Sequence, residues 1–164
     1  MERNPELEVA ISATTRPKRT GERDAGDYHF LTEEEFAERV EGGEFLEHVV
    51  YVSGHRYGTL VSEVERILDR GRSCVLELET AGARRVKELV PEALTVFVAA
   101  PSGEELERRL RERATESAGE IEERLELARR QTEEAGDFDF VVVNDDVDRA
   151  VAELEALLAR TPAR

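Results

Sequence analysis

At 164 residues the chain is long enough for one domain with a proper core and short for two. Its net charge of −15 argues against non-specific attachment to nucleic acid or an anionic membrane, and neither partner is expected. A lone cysteine, Cys74, excludes an intramolecular disulfide or a cysteine metal cluster, and no apolar run reaches the roughly 18 residues that span a bilayer.

Met1-Glu2-Arg3-Asn4-Pro5 has no signal-peptide core, so the expected compartment is the cytoplasm. Leu7 to Ser12 reads as a short strand. The stretch Ser12-Ala13-Thr14-Thr15-Arg16-Pro17-Lys18-Arg19 follows, in a chain with only two lysines, Lys18 and Lys87. Pro17 pushes Arg16 out of the helical region, so Arg16 and Arg19 project from a turning backbone where two guanidinium forks can converge on one anion. Thr14, Thr15 and Ser12 add hydroxyl donors beside them. The alternative is an ordinary solvated basic loop.

Thr32 with Glu35 forms a capping box opening a helix through about Glu41, which Gly42-Gly43 ends. Phe45 to Ser53 and Tyr57 to Leu60, around Ser53-Gly54-His55, predict a small antiparallel hairpin. A second helix runs from Val61 to Arg70, with Val64, Ile67 and Leu68 on one face and Gly71 at its end. The strand Cys74 to Glu79 comes next, then a helix over Ala81 to Leu89. Leu94 to Ala100 is a nearly continuous apolar run, as in a strand covered on both faces. Ser102 and Glu105 cap a fourth helix through about Arg113, whose end is crowded by Arg108, Arg109, Arg111 and Arg113. A fifth helix buries Ile121, Leu125 and Ala128, Phe138 to Val143 is the last strand, and Asn144-Asp145-Asp146 caps a terminal helix carrying Val147, Val151, Leu154 and Leu158.

Strand and helix alternate over most of the length, which predicts an α/β fold, a parallel sheet flanked by helices. Ligands of such sheets bind at the carboxyl ends of strands, where Ser12, Glu77, Glu79 and Asn144 fall. His29, His48 and His55 lack metal-ligand spacing, and no protein-held metal site is expected.

Ser12-x-Thr14-Thr15-Arg16-x-x-Arg19, then Gly26-x-Tyr28-x-Phe30, Gly43-Glu44-Phe45-Leu46-Glu47 and Tyr57-Gly58-Thr59 resembles the nucleotide-monophosphate half of guanylate kinases, and the resemblance runs from Val9 to about Leu158. It implies a single guanylate-kinase-like domain over 1–164 of P-loop NTPase type, with a small mixed α/β GMP-binding insertion at about 13–60 and a lid at about 109–124. Its activity would be transfer of the γ-phosphoryl of ATP to GMP with Mg²⁺, giving ADP and GDP in purine nucleotide metabolism. The resemblance implies that Ser12, Arg16, Arg19, Tyr28 and Tyr57 hold the GMP phosphate, and that Glu47 reads guanine through N1–H and the 2-amino group. Thr59 would contact the base and Glu79 would lie near the base and the metal. Arg109, Arg113 and Arg124 would close on the ATP phosphates and steady the transferred group, and Asn144 and Asp145 would border the adenine. For Arg108 and Arg111 an ordinary helix surface is the expectation.

The sequence departs from the family in three places. Arg-Gly-Thr of the lid becomes Arg113-Ala114-Thr115, and the acidic pair becomes Glu77-Leu78-Glu79-Thr80-Ala81-Gly82. No G-x-x-x-x-G-K-[ST] occurs anywhere, so the amides and lysine that cradle the β- and γ-phosphates are missing. The expectation is a guanylate kinase sequence begun too late, without its first strand and P-loop and inactive as written. A different class of reading is a non-catalytic guanylate-kinase-like module that docks phosphorylated or acidic partners, which the retained lid arginines disfavour.

Overall fold

The computed structural model describes residues 4–113 and 118–160, with the backbone alone for residues 113 and 118–120. The chain divides into two compact units, Met1–Pro91 and Glu92–Arg164.

In the first unit, β1 (Leu7–Val9) pairs in parallel with β6 (Ser73–Val75), and β2 (Ala13–Thr14), β3 (His29–Phe30), β4 (Phe45–Val50) and β5 (Arg56–Leu60) form a mixed sheet in the order β3-β2-β5-β4. The strand expected over Leu7–Ser12 thus ends at Val9, and the next strand, β2, opens only at Ala13 in another sheet. The break lies at Ala10–Ser12, and a side chain holds it: Ile11 N–H donates to Oε1 of Glu63 at 3.0 Å. Glu63 is 5 % exposed in α2 (Val61–Leu68) and also accepts from Nε and Nη2 of Arg66, whose Nη1 reaches Glu8 of β1 at 2.6 Å. Among the described residues β6 pairs with three-residue β1, and the strand expected through Glu79 ends at Val75. Cys74 sits in β6, where burial pushes its thiol up to about 11, making it a poor nucleophile.

Removing the Glu63 carboxylate leaves Ile11 N–H without its acceptor and takes two bonds from Arg66, which keeps the one to Glu8. Glu63→Ala is expected to cost about 2 kcal/mol in urea unfolding, below the range for fully buried pairs because Arg66 keeps part of its side chain in water. Arg66 holds the Glu63 carboxyl below its ordinary value against the opposing effect of burial. That contribution is therefore full above the unfolded pKa, about 4.3, and is lost as pH falls through the folded one. An unchanged unfolding midpoint for the Glu63→Ala protein at neutral pH would refute the tie.

Helix α1 (Glu33–Glu41) starts as the sequence predicts. Thr32 Oγ1 accepts from Glu35 N–H while the Glu35 carboxylate accepts from Thr32 N–H, and Gly43, at φ +68°, turns the chain out. Phe36 is fully buried against Ala13 and Leu60 and stacks on Phe45 with centroids 4.4 Å apart. The hairpin forms as expected, with Gly54 at φ +80° in its turn. Its register sets Glu47 opposite Thr59 and His48 opposite Gly58. A Cβ on Gly58 would lie 2.8 Å from the Glu47 carbonyl oxygen, so glycine there lets the strands close up. In α2 Ile67 is buried, but Leu68, expected on the same face, is 54 % exposed. Helix α3 (Thr80–Leu89) completes this unit.

In the second unit β7 (Val96–Ala99) pairs in parallel with β8 (Phe140–Val143). Around the pair run α4 (Gly103–Arg113), α5 (Ala118–Glu133), a 3-10 turn (Glu134–Asp137) and α6 (Val147–Arg160). Ser102 Oγ accepts from Glu105 N–H and Asp146 Oδ1 from Arg149 N–H, so both expected N-caps are present. Ala150, Leu154 and Leu157 face Val142, whereas Val147, expected on the buried face, is 69 % exposed. Since α6 packs on β8, the apolar run of β7 is not covered throughout, and Val98 is 54 % exposed. Among the described residues no helix is long and apolar enough to cross a membrane.

Candidate functional site

The basic loop of the first unit is organised around a carboxylate. Arg16 donates from Nη1 and Nη2 to the two oxygens of Glu22 at 3.1 and 2.8 Å, and Arg19 N–H donates to Glu22 Oε2 at 2.7 Å. Nη1 of Arg16 also reaches the Pro17 carbonyl, and the guanidinium carbon lies 5.3 Å from the Tyr28 ring centroid and 5.7 Å from that of Phe30. The Arg16 side chain is only 11 % exposed. Glu22 first, then the Tyr57 hydroxyl, raises the Arg16 pKa further, so its charge is fixed. The Arg19 side chain, by contrast, is exposed.

Tyr28 and Tyr57 stand edge to face at 6.2 Å. Burial, then Tyr57, pushes the Tyr28 hydroxyl above its ordinary value, which keeps it a donor at neutral pH. Ser12 is half-buried, and its carbonyl accepts from His29 N–H, fixing β3 beside the loop. The threonines differ from expectation. Thr14 is fully buried, its Oγ1 donating to the Arg56 carbonyl and accepting from Arg16 N–H, and Thr15 Oγ1 accepts from Arg56 N–H. Both hydroxyls tie β2 to β5, because the chain leaving the sheet there would otherwise strand its backbone polar groups.

On the hairpin beside this loop, Glu47 is 6 % exposed. Its Oε1 accepts from Thr59 Oγ1 at 2.8 Å, the bond that the hairpin register dictates. Burial raises the Glu47 carboxyl above its ordinary value, and the Thr59 bond opposes this. Such a carboxylate retains acceptor sites for a planar pair of N–H donors. Oε2 lies against Gly82 in the first turn of α3, and Glu79 is the N-cap residue of that helix. Ser12, Arg16, Tyr28, Glu47, Tyr57 and Thr59 are therefore brought together through the β3-β2-β5-β4 sheet and its loops. Glu22 and Gly82 were not singled out by sequence reasoning. An acidic residue six positions after Arg16, inside a basic loop, was the available signal for the first.

In the second unit Arg109 donates from Nε to Glu105 at 2.6 Å and from Nη1 to the Asn144 carbonyl at 2.8 Å, and Asn144 N–H donates to the Ala99 carbonyl. Arg109 and Asn144 are thus brought together at the end of β8. Asp145 is exposed and pairs with Arg149 at 2.8 Å. Arg124 is half-buried on α5, and the side chain of Arg113, with Ala114 and Thr115, lies outside the described residues. Arg108 and Arg111 pair with Glu105, Glu112 and Glu107 one turn away, as a helix surface does.

The guanylate kinase family model matches residues 2–161. A guanylate kinase of Frankia casuarinae is 48 % identical over 157 residues, covering 96 % of this chain and 85 % of the relative. One of Synechococcus is 45 % identical over 157 residues, covering 96 % of this chain and 72 % of the relative. The crystal structure of guanylate kinase from Anaplasma phagocytophilum aligns with a TM-score of 0.78 at 31 % identity, covering 96 % of this chain and 78 % of that one. The α/β architecture read from the alternation of elements agrees with that neighbour.

Proposed function

We propose that this chain, which belongs to the guanylate kinase family, binds GMP in its first unit and serves the transfer of the γ-phosphoryl of ATP to GMP, yielding ADP and GDP. The observation that carries the GMP half is a charged, clamped Arg16 in the loop after β2, in the same unit as a buried Glu47 on β4. Arg16, flanked by the Tyr28 and Tyr57 hydroxyls and by Arg19, supplies positive charge and donors to a phosphate. Glu47, oriented by Thr59, accepts from guanine N1–H and the 2-amino group. Adenine offers no such pair of donors, so a buried acceptor would face an unmatched edge. Ser12 and Glu79 complete the seat in this reading.

On the ATP side we assign Arg109, Arg113 and Arg124 to the phosphates and Asn144 and Asp145 to the adenine. The metal accompanying ATP is proposed to be Mg²⁺, which neutralises charge on the β- and γ-oxygens when bound. The sequence holds no G-x-x-x-x-G-K-[ST], and we propose that these 164 residues alone bind GMP yet transfer phosphate very poorly.

Calorimetry at neutral pH tests the GMP reading. The parent is expected to bind GMP more tightly than AMP, and Glu47→Gln to reduce that preference by about 10–100-fold, the scale of hydrogen bonds to a charged group. Because burial raises the Glu47 pKa, acidification should weaken GMP binding at a higher pH than an ordinary glutamate would, as protonation converts an acceptor to a donor. The phosphate of GMP titrates at about pH 6 as well, so the Glu47→Gln protein supplies the reference that isolates the Glu47 contribution. Equal affinity of the parent for GMP and AMP refutes the reading.

A further inference from the structure

We propose that Gly82 is a positioning residue for Glu47, and that its missing side chain sets the carboxylate in the pose that separates guanine from adenine. The inference rests on the reading of Glu47 as the base-recognising group.

A Cβ built on Gly82 would lie 2.6 Å from Glu47 Oε2, 3.2 Å from Cδ and 3.6 Å from Cγ. Real carbon–oxygen contacts do not reach the first of these distances. Glu47 cannot withdraw along its own strand. Its Oε1 is held by Thr59 Oγ1 at 2.8 Å, and its carbonyl lies where a Cβ on the facing Gly58 would come within 2.8 Å, so β4 is already pressed onto β5. What can move is the far end of the side chain. A methyl group at position 82 would therefore leave the backbone where it is and rotate the carboxylate away.

The helix itself gives no reason for glycine. Gly82 lies in the first turn of α3, and the glycines at positive φ are Gly21, Gly43, Gly54 and Gly71. Glycine inside a helix is less favourable than alanine by roughly 0.5–1 kcal/mol. A glycine that the backbone does not require, buried against the one carboxylate assigned to base recognition, is explained by that carboxylate. In stability Gly82→Ala is close to neutral, since propensity and contact act in opposite directions, and in base recognition it is not.

The test is calorimetric binding of GMP and AMP to the parent, Gly82→Ala, Glu47→Gln and the double variant, with thermal melts of all four. The expected result is a roughly 10-fold or greater loss of GMP-over-AMP preference in G82A, with AMP affinity and melting temperature held. In the E47Q background the same change should have little further effect, because both substitutions act on one interaction. The ¹³C titration of the Glu47 carboxyl, assigned with E47Q, should move toward the ordinary carboxylate value in G82A as the group swings toward water. Parent-like preference in G82A, an equal loss of AMP affinity, or full additivity with E47Q each overturns the inference. A parent that shows no preference for GMP refutes the base reading first, and the role of Gly82 in specificity with it, which distinguishes the two failures.

Discussion

Arg109→Ala is expected to lower kcat by roughly 10³-fold, the scale of an arginine that neutralises charge on a transferring phosphoryl group. On the proposal that these 164 residues alone transfer phosphate poorly, the measurement uses a version with a strand and a G-x-x-x-x-G-K-[ST] loop fused ahead of Met1. That fusion is itself expected to raise GMP-dependent ADP production above the level of the 164 residues alone. Affinity for GMP should stay within about twofold in R109A, because the seat proposed for GMP draws on residues of the first unit. Arg109 also ties α4 to the end of β8 through Glu105 and the Asn144 carbonyl. Arg109→Lys separates the roles: a lysine can keep one bond to Asn144 but cannot present a planar fork. If kcat survives in R109A, the residue is a structural tie and the ATP assignment falls.

Arg16→Ala is expected to weaken GMP binding by about 10–100-fold, on the scale of lost charge-assisted bonds. AMP binding should weaken by the same factor, since both nucleotides present the same phosphate, and this contrasts with Glu47, whose loss falls on GMP alone. Removal of Arg16 also leaves Glu22 facing the site with its negative charge. Arg16→Ala combined with Glu22→Gln should therefore recover part of the loss. A change smaller than about twofold in R16A would return the loop to ordinary solvated surface.

What could be read in the sequence was what neighbours in the chain decide. The Thr32–Glu35 capping box, the Ser102 and Asp146 caps and the hairpin around Gly54 depend on residues within a few positions of one another, and each is present. The misreadings involve partners far along the chain. Glu63 holds Ile11, 52 residues away, in the stretch where the expected strand has already ended. Thr14 reaches Arg56, 42 residues away, which turns a hydroxyl expected at the ligand into a sheet fastening. Val147 is placed on the buried face by periodicity, whereas the packing of Ala150, Leu154 and Leu157 with Val142 of β8 turns it outward. Glu47 stands out in the sequence through the motif around it, while the closeness of Gly82 to its carboxylate, 35 positions on, is visible only in the structure.

The clamp of Glu22 on Arg16 bears on the thermodynamics of binding. An unrestrained arginine has roughly 2 kcal/mol of rotamer freedom to lose when a ligand fixes it. Here the guanidinium is already fixed by Glu22, the Pro17 carbonyl and the aromatic rings, so that loss accompanies folding and not association. Phosphate capture by this loop therefore has a small conformational-entropy penalty, and GMP meets a surface whose shape is set before it arrives.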